Sequence, residues 1–298
     1  MSPPDRVTVG ALKVLLEQYS DRPTLVDIGA RWGAHERWLP LDKVAEILCF
    51  EADRKECERL EATRPPNVRY VPVGLSDIAG ERDLFVTLEP ACSSNFEPIP
   101  ALHEHYPGLA IIRPMRKTTL SCQRLDDVLM EQGVEHVAAM KLDTQGSELS
   151  IMRGGERALA NCSLVDIEVE FNPIYRSQAL FCDVDRFLRD RGFVLWRFEN
   201  LVHYPTETLQ SALSTFAIAG DPGQTTVAQI ANGQVFWAQA QYVRAEYPRT
   251  GAERMNLREA IVPAILSGVY GWWDLALELV RKTGDNDLLN RLRASLTS

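Results

Sequence analysis

Short apolar runs with strand-like spacing alternate with amphipathic helical patterns along most of the chain. The runs are rich in β-branched and aromatic residues, and several end at glycine or at an acidic residue. Strands that alternate with helices predict a doubly wound, mainly parallel α/β sheet with helices on both faces. The predicted strands are 24–28, 46–50, 68–73, 83–88, 137–142, 164–171, 193–198 and 235–243, and the predicted helices are 9–19, 54–63, 125–132, 148–159 and 181–191.

Two stretches, 89–120 and 204–232, interrupt the alternation, and both are predicted to be irregular. Long ordered loops of this kind often cover binding sites. From about residue 252 the pattern becomes purely helical, so we predict a main domain over 1–250 and a C-terminal helical appendage over 251–298. The adjacent Trp272 and Trp273 favour core packing against the main domain, with a partner or dimer surface as the alternative.

Composition and charge narrow the possible partners. The chain has 298 residues and a formal net charge of -9, which disfavours nonspecific binding to nucleic acid and to anionic membranes. The sequence has no signal-peptide pattern and no apolar run of membrane-spanning length. The six cysteines match no zinc module. We therefore predict a cytoplasmic protein with reduced thiols and no metal, nucleic-acid or membrane partner, and a homodimer remains open.

A glycine turn follows the first predicted strand. Gly29, Ala30 and Gly33 form this turn, and Asp27 precedes it. Glycine lets the backbone approach a ligand closely, and the N–H groups that follow are free to bind it. The spacing is not that of the GxGxxG dinucleotide fingerprint, and an acid at the strand end suits a cationic amino acid. These residues are predicted to bind a cofactor, although Asp27 could instead cap the turn.

Two further elements point to the same crevice. Glu51, followed by Ala52, ends the second strand about 20 residues beyond the glycine turn, where an acid accepts hydrogen bonds from ribose hydroxyls. Leu75 and Ser76 follow the third strand, where a base would lie. A solvated acid and an ordinary turn are the structural alternatives. Together the elements predict a nucleoside cofactor, without choosing between S-adenosylmethionine (SAM) and NAD.

Acidic residues follow the later strands. Asp143 ends the strand over 137–142 and is the first candidate for a catalytic or cofactor-orienting acid. Glu148 opens the next helix, where it could bind substrate or only offset the helix dipole. Asp166, Glu168 and Glu170 alternate with apolar residues and therefore share one strand face. Because a central strand should be apolar on both faces, the acids predict a polar cleft, with an exposed edge strand as the alternative.

Two residues outside these strand ends complete the candidate site. His203 follows a late strand and is either a general base or structural. Ser94 lies in the proline-rich stretch and would contact cofactor or acceptor if that loop closes. The predicted catalytic residues are Asp143, Glu170 and His203; the cofactor residues are Asp27, Gly29, Ala30, Gly33, Glu51, Ala52, Leu75, Ser76 and Asp143; the substrate residues are Glu148, Glu168 and Ser94.

The segment KLDTQGSEL over 141–149 resembles the K-x-D-x-x-G-x-E signature of the FkbM-type methyltransferases. Other matching pieces occur in the same order, at 26–29, 50–52, 74–77, 125–127 and 168–170, so the resemblance covers about 20–245. It implies a Rossmann-like sheet of about seven strands, SAM as cofactor, and O-methylation of a small-molecule or sugar hydroxyl. Arg31 departs from the pattern, because many related enzymes have a third glycine there.

Two competing hypotheses differ in class from a methyltransferase. An NAD-linked oxidoreductase would use a related sheet, but the chain lacks GxGxxG after the first strand. A non-catalytic SAM-binding or protein-interaction module would act through the helical tail. Loss of turnover with intact SAM binding would favour that module.

Overall fold

The computed structural model describes residues 6–19, 21–207, 233–248 and 254–297. The strands are β1 (Thr24–Ile28), β2 (Glu46–Glu51), β3 (Val68–Pro72), β4 (Gly74–Ser76), β5 (Gly80–Thr87), β6 (Pro114–Arg124), β7 (Val137–Leu142), β8 (Leu164–Glu170), β9 (Phe193–Tyr204) and β10 (Gln234–Arg244). The helices are α1 (Arg6–Leu16), α2 (Arg54–Glu61), α3 (Leu102–His105), α4 (Leu125–Glu131), α5 (Glu148–Gly154), α6 (Glu156–Asn161), α7 (Phe181–Arg189), α8 (Leu257–Val269), α9 (Trp273–Thr283) and α10 (Asn286–Ser295).

The central sheet has seven strands in the order β3-β2-β1-β7-β8-β10-β9. The first five are parallel, and β10 runs antiparallel between β8 and β9. The predicted α/β class and the mainly parallel sheet of about seven strands are therefore confirmed. The chain leaves β1 toward β2 on one side and returns to β7 on the other, and ligands bind at such a switch point, beyond the carboxyl ends of the strands.

The stretch over 89–120 is only partly irregular, which corrects the prediction. Its end belongs to β6, an 11-residue strand that pairs antiparallel with β5 and parallel with β4 in a second, three-stranded sheet. Pro114 stands at the first position of β6, where a strand tolerates proline. Most of the other irregular stretch, 204–232, lies outside the described residues.

The C-terminal helices pack against one face of the central sheet. Residues of α8, α9 and α10 share a continuous hydrophobic cluster with α1, β1 and β2. Trp272 is only 2% exposed within this cluster, as the core-packing interpretation predicted. The domain boundary near residue 250 stays a prediction. Among the described helices, none has the length and apolar character needed to cross a membrane.

Candidate active site

A cavity of about 630 Å³ opens beyond the carboxyl ends of β1, β2 and β7. This volume lies within the range of small-molecule sites, about 300–1,000 Å³. Apolar side chains of β5 and β6, including Leu84 and Leu120, form the opposite wall. The cavity brings together part of the predicted set, namely Gly29, Glu51, Ala52, Leu75 and Asp143. The other predicted residues are not among those that line it.

The glycine turn and the turn after β7 touch each other. Gly29 has a φ of 84°, and a Cβ at this position would lie 1.9 Å from the carbonyl oxygen of Asp143. Only glycine satisfies both conditions. The N–H groups of Gly29 and Ala30 both donate to the carbonyl oxygen of Phe50, and that of Gly33 donates to Ala30. Ala30 and Gly33 thus shape the turn without lining the cavity.

Asp27 supports the turn from below. It is 1% exposed, accepts a 2.7 Å hydrogen bond from the N–H of His35, and lies 3.5 Å from the ammonium of Lys141. It is not among the cavity residues. These contacts agree with the capping role of Asp27, and its direct contact with the cofactor stays a prediction.

Glu51 faces the cavity from the end of β2. Its carboxylate accepts a 2.7 Å hydrogen bond from the N–H of Asp53, and the guanidinium of Arg31 lies 3.9 Å away. Burial raises the pKa of Glu51, while the Asp53 hydrogen bond and the Arg31 charge lower it. Arg31, the departure from the family pattern, also lines the cavity and lies 3.5 Å from Asp53. Its charge therefore sits beside the predicted ribose acid.

Leu75 lines the cavity, but its neighbour Ser76 does not. The Ser76 hydroxyl donates to Asp77 at 3.0 Å and lies 3.2 Å from the hydroxyl of Ser150 on α5. A Cβ on Gly154 would lie 2.2 Å from the carbonyl oxygen of Ser76, so α5 packs closely on this segment. Ser76 thus anchors α5, and its place beside the base stays a prediction.

A row of carboxyl groups continues from the cavity along β7 and β8. Asp143 lines the cavity, and Asp166, Glu168 and Glu170 are buried on one face of β8. Because β8 lies between β7 and β10, the edge-strand alternative is wrong. Lys141 is the register partner of Asp166, and its ammonium lies 3.6 Å from Asp143. The polar-cleft interpretation therefore agrees with the position of β8.

The carboxyl groups of this row have pKa values shifted in opposite directions. Burial raises the pKa of Asp143, but the Lys141 ammonium and hydrogen bonds outweigh burial and lower it below its ordinary value. Burial and the charge of Asp143 raise the pKa of Glu168 well above its usual range, and burial with the charges of Glu148 and Asp143 does the same for Glu170. The carboxyl group at the cavity therefore loses its proton more readily than the two carboxyl groups beside it.

Glu148 and Ser94, both predicted to bind substrate, make hydrogen bonds that hold the turn after β7, and their substrate roles stay predictions. Glu148 accepts hydrogen bonds from the N–H (2.6 Å) and the hydroxyl (3.0 Å) of Thr144, and burial raises its pKa to about 7. The Ser94 hydroxyl donates to the carbonyl oxygen of Gln145 at 2.7 Å and accepts from the N–H of Phe96 at 3.0 Å. Neither residue lines the cavity.

His203 lies inside a strand rather than after one. It belongs to β9, the outermost strand of the sheet, where it pairs with Val235. It is not among the cavity residues, and β10 separates β9 from the acids of β8. Its catalytic role stays a prediction without a geometric argument.

Two contributors to the site escaped sequence analysis. The side-chain amide of Gln145 donates to Asp143 at 3.1 Å and to Glu168 at 2.9 Å. The Tyr270 hydroxyl, just beyond α8, donates to Asp166 at 2.8 Å. Gln145 stands two residues after Asp143 in the signature, and this proximity could have indicated that it lies in the site. Tyr270 is 104 residues from Asp166, and no local pattern points to it.

The family model and the curated relatives that match this chain are all methyltransferases. The model of the methyltransferase FkbM domain matches residues 27–195. The 2-O-methyltransferase NoeI of Sinorhizobium fredii is 25% identical over 162 residues, which cover 52% of this chain and 67% of NoeI. The hexuronic acid methyltransferase AglP of Haloferax volcanii is 24% identical over 200 residues, covering 63% of this chain and 76% of AglP.

Solved structures of similar shape include two methyltransferases. The magnesium protoporphyrin IX methyltransferase of Synechocystis PCC 6803, solved with bound SAM, is 9% identical and has a TM-score of 0.36, with 80% of this chain and 77% of that chain covered. An rRNA methylase from Streptococcus thermophilus is 12% identical with a TM-score of 0.33, covering 82% of this chain and 99% of that chain.

Proposed function

Because the chain belongs to the FkbM methyltransferase family, with SAM as its cofactor, we propose that it methylates a hydroxyl oxygen of a small molecule or carbohydrate. The observation that carries this proposal is the cavity where Gly29, Glu51 and the ionised Asp143 meet. NoeI is a 2-O-methyltransferase and AglP acts on a hexuronic acid, which supports a sugar-like acceptor. We further propose a cytoplasmic protein without a nucleic-acid partner, and its assembly into a homodimer stays open.

The cavity residues fit the cofactor. Glu51 retains carboxylate lone pairs for the ribose hydroxyls, and the bare backbone at Gly29 admits close approach of the amino-acid part. Leu75 and Ile151 offer apolar contact to the adenine. The bound cofactor supplies a methyl group on a positively charged sulfur, which is an electrophile with a good leaving group.

The protein must align the acceptor and remove its proton. As the carbon–oxygen bond forms and the sulfur–carbon bond breaks, the hydroxyl proton has to leave the acceptor. We assign Asp143 as the group that receives it, because Asp143 is ionised and lines the cavity. Glu168 and Glu170 continue the buried carboxyl row behind it. Alignment itself supplies much of the rate.

Titration calorimetry with SAM, S-adenosylhomocysteine (SAH) and NAD tests the cofactor, and transfer from labelled SAM to neutral sugars and uronic acids tests the acceptor. We expect SAM and SAH to bind, NAD not to bind, and Glu51→Ala to weaken both nucleosides about tenfold or more. Glu46→Gln, at the half-buried start of the same strand and away from the cavity, serves as the control. Binding of NAD alone would move the assignment to an oxidoreductase. SAM binding without transfer to any acceptor would favour the non-catalytic module.

A further inference from the structure

Gln145 occupies a strained position in the turn between β7 and α5. Its φ is 59°, one of three positive values among the described residues other than glycine. The left-handed region costs a side-chain-bearing residue about 1–2 kcal/mol. Such strain persists where the surroundings fix the residue, often at functional sites.

Two other segments hold Gln145 in this conformation. The Ser94 hydroxyl donates to its backbone carbonyl oxygen at 2.7 Å. The hydroxyl of Tyr175, which is completely buried, lies 3.0 Å from Oε1 of Gln145 and 2.8 Å from the carbonyl oxygen of Cys92. The loop before α3 and the segment after β8 therefore both fix the direction of the amide.

The amide nitrogen of Gln145 faces two carboxyl groups on neighbouring strands. It lies 3.1 Å from Oδ1 of Asp143 and 2.9 Å from Oε2 of Glu168. An amide nitrogen has two hydrogens, so both are used. Asp143 and Gln145 line the cavity, while Glu168 lies behind them.

We propose that Gln145 is the positioning residue that keeps Asp143 and Glu168 side by side and directs the Asp143 carboxylate toward the cavity. This inference rests on the cofactor placement proposed above. SAM carries a permanent positive charge on sulfur and SAH does not. A carboxylate held at the cavity therefore favours SAM over SAH.

The identity of residue 145 follows from its surroundings. A glutamate there would add another negative charge, and a leucine would leave both carboxyls without their donor. The Lys141 ammonium lies 3.6 Å from Asp143, so without the amide Asp143 would turn toward Lys141. The ionisable groups that face the pair are Lys141 on β7, Glu148 on α5, Glu170 on β8 and Tyr175 after β8.

The variant Gln145→Gly distinguishes the contribution of the side-chain amide from that of the backbone conformation. Glycine accepts the positive φ without strain, so the turn keeps its conformation while the amide is lost. Gln145→Leu removes the same donors but keeps side-chain bulk. Ser177→Gly is the matched control, because Ser177 also has a positive φ, of 62°. This variant adds a glycine at a left-handed position outside the cavity.

The test is the ratio of the dissociation constants of SAM and SAH, measured by titration calorimetry on the full chain and accompanied by thermal melts. We expect the wild type and Ser177→Gly to prefer SAM. In both Gln145 variants the preference should fall about tenfold, with SAH affinity changed less than twofold and a melting temperature close to wild type for Gln145→Gly.

The outcomes separate the two proposals. If the wild type binds neither ligand, the cofactor placement fails. If the wild type binds SAM but Gln145→Gly keeps the same ratio, or weakens SAM and SAH equally, Gln145 only shapes the turn and the inference is overturned while the cofactor assignment stands.

Discussion

The two faces of the central sheet differ although the same strands form them. On the face covered by α4 to α7, apolar residues continue to the carboxyl ends: Val26, Ile28, Met140, Leu142, Val165, Ile167 and Val169. On the face covered by the C-terminal helices, the amino ends are apolar, with Leu25, Ile47, Ala139 and Leu164. Farther along, that face carries Asp27, Lys141, Asp166, Glu168 and Glu170.

This difference identifies the functional face. Strands buried on both sides are ordinarily apolar on both sides, because buried charges cost free energy unless they are paired. Here the charged row begins only where the strands approach the crevice, and Asp143 carries it into the cavity. One face therefore stabilises the sheet, while the other carries the buried charged groups that lead to the proposed site.

The largest expected effect on stability comes from replacing Lys141, whose ammonium pairs with Asp27 and Asp143 on the charged face. Lys141→Met leaves the buried Asp27 and the partly exposed Asp143 without their cation, and we expect a loss of about 3–5 kcal/mol in the free energy of unfolding, mainly from Asp27. Met140→Leu, on the apolar face of the same strand, should cost less than about 1.5 kcal/mol. Denaturant unfolding measures both. Equal losses would mean that the two faces do not differ energetically.

Gly29 directly follows β1 and lines the cavity at the edge of the sheet. Gly29→Ala should cost about 2–4 kcal/mol, because the added Cβ meets the carbonyl oxygen of Asp143 at 1.9 Å and the φ is positive. SAM binding should be lost with it. Gly133→Ala is the control, since Gly133 has a φ of 72° but open space around it, and should cost about 1–2 kcal/mol. A variant at Gly29 that melts and binds like wild type would contradict the close contact of the two turns.

The buried Glu148 is expected to make the stability of the protein depend on pH. Its pKa is about 7 in the folded protein against an ordinary 4.5, so the folded state binds the proton more tightly and stability falls as the pH rises from 4.5 to 7. Glu148→Gln keeps the acceptor for Thr144 and removes this loss. We expect the variant to be about 1–3 kcal/mol more stable than wild type at pH 8, with little difference at pH 4.

Chemical unfolding at both pH values checks the Glu148 prediction, with the exposed Glu131→Gln as the control. A stability difference that is the same at pH 4 and pH 8 would show that Glu148 does not titrate as described.

Tyr270 gives the smallest effect. Tyr270→Phe removes the 2.8 Å hydrogen bond to the buried Asp166, and we expect a cost of about 1–2 kcal/mol. Tyr247→Phe, which loses a 3.0 Å contact with the Ser163 hydroxyl near the amino end of β8, should cost about 0.5–1 kcal/mol. Thermal melts compare them. A larger loss at Tyr247 would contradict the greater weight expected for the hydrogen bond to the buried carboxyl group of Asp166.

Local patterns predicted most of the sheet. The bounds of β1 and β7 agree with the predicted strands over 24–28 and 137–142, because each is a short apolar run that a turn or a charged residue closes. The pattern failed at β6, where repeated prolines suggested a loop although only Pro114 belongs to the strand. The other prolines of the stretch precede the strand, and the residues of β6 after Pro114 contain none.

The site was predicted less completely than the fold. Positions that end parallel strands, such as Glu51 and Asp143, do meet in the cavity, because topology alone brings them together. Asp27, Ser76 and Glu148 have turn-holding contacts, and sequence spacing cannot distinguish a residue that touches a ligand from one that supports it. Gln145 and Tyr270 depend on a strained φ and a distant contact, which no spacing records.

A crystal structure of the protein with SAH tests the central claim most directly. The account predicts the ribose hydroxyls within hydrogen-bonding distance of Glu51, the adenine against Leu75 and Ile151, and the homocysteine part beside Gly29 and Asp143. SAH bound away from the carboxyl ends of β1, β2 and β7, or with its ribose remote from Glu51, would contradict it.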